Sequence, residues 1–125
     1  MKEYASICGF LVWMQTSIKL THWSQKGIGS EARHEALGDL YQTLDGKIDQ
    51  LVESLQSYAG ILELRVPEAA TKAKDHAETL KFLEAIRSQL KTFKVNIAQM
   101  SEIANLYAEI ILAVSQTIYK IKILS

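Results

Sequence analysis

Apolar positions recur at three- and four-residue steps along most of the chain, the spacing of a helix with one buried face. Ile7, Phe10, Leu11, Met14 and Ile18 carry the first stripe and predict a helix from about Lys2 to Gln25, broken by Gly27 and Gly29. Leu37, Leu40, Leu44, Ile48, Leu51 and Leu55 carry the second. That helix is expected to begin after Ser30 as N-cap, with Glu31 in its first turn, and to finish near Gly60. Leu80, Leu83, Ile86, Leu90, Phe93 and Ile97 form a third stripe, capped by Asp75. Ile103, Tyr107, Ile110, Val114, Ile118 and Ile121 form a fourth. No Gly or Pro separates the last two, so the turn is placed near Asn96 to Ser101, both of which favour caps.

Four amphipathic helices joined in this way predict an antiparallel bundle. The sequence is that of one domain, residues 1–125, and no stretch sustains the alternation of a strand. The longest connection, residues 61–74, contains Pro67 and has room for a short helical turn. If mostly extended, at about 3.3 Å per residue, it can cross the bundle from end to end between the second and third helices.

Composition narrows the function. At 48% apolar residues the chain can bury a core. Its 14 basic and 14 acidic residues cancel, so the basic face of a nucleic-acid binder is not expected. Cys8 is the one cysteine, which excludes an intrachain disulfide and fits a reducing cytoplasm. The apolar run Ile7 to Met14 follows Lys2 as in a signal peptide. It lacks a small-residue cleavage site and its pattern continues, so it reads as helix. No stretch reaches the roughly 18 to 20 apolar residues of a membrane span.

The candidate chemistry lies around the glycine turn. His22 closes the first helix and His34 opens the second, so the turn can bring two imidazoles together. Further along the second helix, Asp49 and Glu53 are one turn apart and share a face. His34, Asp49 and Glu53 fall within roughly a 100° sector, beside the leucine stripe. Gly38, Gln42, Asp45 and Gly46 lie on or near that sector, where small residues would let another helix approach. Fifteen helical residues separate His34 from Asp49 by about 22 Å, too far for one metal within one chain. Antiparallel pairing of this helix with its copy, centred near Gln42, would bring the His34 end to the partner's acidic end. A two-fold axis would then make two identical sites, each with two nitrogens and two carboxylates. Such a set suits iron, manganese or zinc.

The run Lys19-Leu-Thr-His22-Trp23, followed by Lys26-Gly27, His34, Tyr41, Asp49 and Glu53, resembles the Dps branch of the ferritin superfamily. Residues 105–124 resemble its last helix more loosely. The resemblance implies a ferritin-like bundle with a crossover between the second and third helices. It implies iron oxidation and storage at a two-fold site, in shells usually of twelve subunits. His22 and His34 would be the metal ligands of one subunit, Asp49 and Glu53 those of its mate, and Trp23 would adjoin the metal. Iron is the metal implied, with zinc or manganese as substitutes. One position departs: the family's aspartate four residues after the second histidine is Gly38 here, with Asp39 rotated away and Glu31 and Glu35 as partial replacements. The 61–74 connection is shorter than usual in the family, and the lysine-rich arm by which some members bind DNA is not seen.

Ordinary roles compete for each residue. A histidine at a helix end is commonly a cap or surface group, and acids four apart are commonly a solvated face. Glu31-Ala-Arg-His34 matches the Glu-x-x-His motif of metal sites inside bundles. That motif normally occurs twice, and Glu102 is followed by Asn105 instead of a histidine. His76 reads as a surface residue, Cys8 as a small buried apolar group, and Trp23 as packing at the bundle end. Trp13, Tyr58, Tyr107 and Tyr119 read as core or interface aromatics. Lys91, Lys94, Lys120 and Lys122 read as a solvated basic population. A bundle that keeps the dimer but has lost its chemistry is the competing reading, and Gly38 is the feature that favours it.

Overall fold

The computed structural model describes residues 2–66, 69–97 and 100–124. It contains four α-helices, α1 (Lys2–Ser24), α2 (Ser30–Ala59), α3 (His76–Ile97) and α4 (Ser101–Tyr119), and no strand among the described residues. A π-helical turn, Lys120–Leu124, continues α4. The stripes read from the sequence face one another. Ile7, Leu11, Met14 and Ile18 of α1, the six predicted residues of α2, five of the fourth stripe on α4 and its sixth, Ile121, in the π-helical turn are all buried in one core. On α3, Leu83, Ile86 and Leu90 are buried while Leu80 and Phe93 pack against the core from its margin. The Ile97 side chain and Pro67 lie outside the described residues.

Helix α1 packs on α2, α2 on α4, α4 on α3, and α3 on α1 over a shorter stretch. Side-chain bridges give the directions. Gln15 bonds Asp45 while His22 bonds His34, so α1 and α2 run antiparallel. Lys47 pairs with Glu109 at 3.1 Å and Tyr58 bonds Glu102, so α2 and α4 do too. Tyr107 donates to the Leu90 carbonyl at 2.5 Å and Arg87 to Ser115 at 3.4 Å, reversing α3 against α4.

The 61–74 connection has no helical turn among its described residues. It lies along α1: the Trp13 indole N–H donates to Ala69, the Thr71 N–H to Ser17 and the Ala73 N–H to Thr21. Gly9 makes the contact possible. A Cβ there would sit 2.0 Å from the Arg65 carbonyl oxygen, so only a glycine lets the backbone pass. This buried glycine went unread in the sequence.

Two predicted caps fare differently. Asp75 Oδ1 accepts from the Glu78 N–H and Glu78 Oε1 accepts from the Lys74 N–H, a reciprocal start to α3. Ser30 is not the cap of α2 but its first helical residue. Gly29, at φ 79°, takes the cap position, and its carbonyl accepts the Arg33 N–H. The left-handed turn through Gly27 and Gly29 starts the helix one residue earlier than the serine rule suggests. The third turn falls inside the predicted window, since α3 ends at Ile97 and α4 begins at Ser101.

Cys8 is fully buried, and burial pushes its thiol up to about 11. Alkylation of native protein near pH 8 should therefore run about a hundredfold slower than in denaturant. Equal rates, followed by mass shift with iodoacetamide, would show that α1 opens readily. Among the described residues no helix is long and apolar enough to cross a membrane.

Candidate metal-binding site

The end of α1 is fastened to the start of α2 by a buried polar network. Arg33 occupies the core register four residues before Leu37 and is only 2% exposed. Its guanidinium donates to Gln25 Oε1 at 2.6 Å, to the Ile28 carbonyl at 2.7 Å and to the Lys26 carbonyl at 2.9 Å. The Gln25 amide in turn donates to Thr79 Oγ1 at 2.8 Å and to the Ala73 carbonyl at 3.1 Å. The turn, the connection and the first turn of α3 thus share one knot. Sequence reading missed it, although a basic residue on an apolar stripe was a usable signal.

On this support His22 and His34 meet. Their rings stack at 3.8 Å between centroids and 14° between planes. Nδ1 of His22 bonds the His34 carbonyl at 2.5 Å, and Nδ1 of His34 bonds the His22 carbonyl at 2.8 Å. A carbonyl can only accept, so each Nδ1 carries a proton, and in the neutral form of either ring Nε2 is left with a bare lone pair. A backbone carbonyl on the far nitrogen is a common orienting partner of metal-ligating histidine. Burial pulls the His22 pKa below its ordinary 6.5, and the neighbouring His34 and Lys19 charges reinforce the shift against the carbonyl bond.

Gly38 is the floor under the His22 ring. A Cβ at that position would lie 2.8 Å from Cε1 of His22. The space that the resemblance gives to an aspartate is taken by the imidazole itself. The predicted close approach at Gly38 is therefore made by α1 of the same chain, whereas Gly46 faces open space. Lys19 lies beside the pair, its ammonium 4.3 Å from the Tyr41 ring centre and 5.1 Å from that of Trp23. Trp23 is 64% exposed, not packed at the bundle end as predicted, because α1 stops one residue beyond it.

His22 and His34 line an open groove of about 340 Å³ together with Glu31, Glu35 and Asp39. Asp49 and Glu53 are on the same unbroken helix but far along it, exposed and without an ion-pair partner among the described residues. The structure thus joins the two histidines and leaves the two acids apart from them. Among the described residues, no three His, Cys, Asp or Glu groups of one chain converge on a single metal position. Glu31 and His34 are both exposed on the outside, and Glu102 bonds Tyr58, so the Glu-x-x-His site inside the bundle is not formed. His76 is exposed, as expected. Tyr107 is core, but Tyr58 and Tyr119 are 60% and 54% exposed, since each projects off the apolar stripe of its helix.

The architecture and site define a helical bundle that presents a paired, tautomer-fixed imidazole donor at its surface. Residues 28–121 match the Family of unknown function (DUF5856), and the chain belongs to that family. The matched span takes in α2, α3 and α4. No curated protein and no solved structure matches the chain.

Proposed function

We propose that this chain is a Dps-like protein of the ferritin fold that binds ferrous iron as its substrate, passes the iron's electrons to dioxygen or peroxide and stores the ferric product. The antiparallel packing of α2 and α3 on α4, and the contacts of Arg65, Ala69, Thr71 and Ala73 along α1, support a ferritin-like crossover between α2 and α3. The observation that carries the functional reading is the histidine pair, whose Nδ1 atoms are both spent on carbonyls so that both Nε2 atoms are bare. A second copy, packed antiparallel on α2 about a two-fold axis near Gln42, supplies Asp49 and Glu53. The exposure of both carboxylates and the open space above Gly46 favour such an approach. Two neutral nitrogens with two carboxylates fit divalent iron, with zinc or manganese as substitutes. The carboxylates favour the ferric product, and twelve-subunit shells are the assembly the family pattern implies. The reading places the protein in the cytoplasm, with no role at a membrane and none on nucleic acid.

His34→Ala and Asp49→Ala are expected to weaken ferrous binding by about tenfold to a hundredfold with the fold intact. Calorimetry with circular dichroism reads both. Unchanged affinity in both variants removes the site.

A second reading is a structural or interaction bundle that has kept the dimer and lost ferroxidase activity. The absence of a carboxylate at Gly38 favours it. Aerobic addition of ferrous iron separates the two: growth of ferric-oxo absorbance beyond the protein-free rate supports the first, and none supports the second.

A further inference from the structure

On the other side of α1 from the histidines, between α1, the 61–74 connection and α3, lies a cavity of about 660 Å³. Its walls are Phe10 and Trp13 of α1 and Phe82 and Ile86 of α3. The walls are fixed. The Trp13 indole N–H donates to the Ala69 carbonyl at 3.2 Å, which ties the ring to the connection. Phe82 meets it edge-on at 6.2 Å, and Phe10 is braced by Phe93 at 5.6 Å. Aromatic rings thus line the gap beside the short α1–α3 contact. A cavity of this size with an apolar lining is in the range of small-molecule sites.

The rim has a charge preference. Lys72 and Lys81 both line the cavity, are exposed, and have no ion-pair partner among the described residues. Glu78, the carboxylate among the lining residues, accepts the Lys74 N–H at 2.9 Å and keeps its charge, so the two ammonium groups outnumber it two to one. Gln89 and Thr71 add polar groups at the edge. Two ammonium groups over an aromatic well suit a ligand with an apolar body and a single anionic head. We propose that this cavity binds an amphiphilic monoanion, a carboxylate on an aliphatic or aromatic body, independently of the metal site. The apolar body lies against Trp13 and Phe82, and the carboxylate bridges Lys72 and Lys81.

The test uses dodecanoate below its micelle concentration and dodecanol as the neutral counterpart. In a Trp23→Phe background Trp13 is the sole tryptophan, so its fluorescence reports occupancy. Saturable change with dodecanoate is expected, with affinity at least tenfold above that for dodecanol. Ala85→Phe, which places a ring in the cavity mouth, is expected to abolish the response. Lys72→Gln with Lys81→Gln, both on the surface, should lower dodecanoate affinity about tenfold and leave dodecanol unchanged. Melting curves confirm that each variant is folded. No saturable response, or a response indifferent to Ala85→Phe, overturns the site. Equal affinity for acid and alcohol, or indifference to the lysine changes, overturns the anionic class.

Discussion

Replacing Arg33 with methionine is expected to cost about 3 kcal/mol of stability and to lower Tm by about 10 °C. The side chain is 2% exposed and its three bonds all go to neutral oxygens, with no carboxylate partner among the described residues. Methionine fills nearly the same volume, so the loss reports hydrogen bonding and not a cavity. It strands the Lys26 and Ile28 carbonyls and the Gln25 side-chain oxygen. Hydrogen bonds to a charged group contribute roughly 1.5–3 kcal/mol each, and partial access of water to the turn recovers some of that. Lysine keeps the charge but cannot span three acceptors in different directions, so Arg33→Lys should fall between. A Tm for Arg33→Met within about 2 °C of the parent would mean that the turn does not depend on this guanidinium.

The same residue shows where sequence reading stops. The core positions of α2 were legible because leucine at three- and four-residue steps has one explanation. Arg33 continues that stripe by one turn, yet a basic residue there is ordinarily read as a surface group. Its burial depends on Lys26 and Ile28 turning their carbonyls inward, which in turn depends on positive φ at Gly27 and Gly29. Gly29 is doubly constrained, since a Cβ would also come 3.1 Å from Arg33 Nη1. None of this is a periodicity, so the serine at position 30 attracted the cap assignment instead. Gly9 is a similar case: a glycine within an apolar run signals close approach, but not by which segment.

At the candidate site, the convergence of His22 and His34 followed from their positions on either side of a short turn. Their reciprocal bonds to each other's carbonyls did not, because backbone acceptors leave no trace in residue identity. The separation of Asp49 and Glu53 from the histidines was fixed by helix rise alone. Gly38 was legible as a missing carboxylate and as a small residue that admits a neighbouring helix. The physical reason for it is the His22 ring above, which no one-dimensional pattern displays.

Gly38→Ala is expected to lower metal affinity by about a hundredfold while leaving the fold as stable as before or more so. The methyl group would stand 2.8 Å from His22 Cε1, closer than real contacts allow, and helix backbone cannot yield. The imidazole must swing outward, losing its bond to the His34 carbonyl and its stacking. Alanine within a helix returns up to about 1 kcal/mol relative to glycine, which offsets those losses in stability but not in ligand geometry. The pH behaviour separates this account from simple loss of structure. In the parent, His22 is depressed below 6.5 by burial, so the unfolded chain binds its proton more readily. That contribution is fully present above about pH 6.5 and is lost as pH falls through the lower folded value. In Gly38→Ala the exposed ring should titrate near its ordinary value, and the acid-dependent loss of stability should shrink. Proton NMR of the imidazole Cε1–H signals reads the titration, and calorimetry with ferrous ion reads the affinity. If both are the same as in the parent, His22 is not seated on Gly38 and the paired donor has no structural basis.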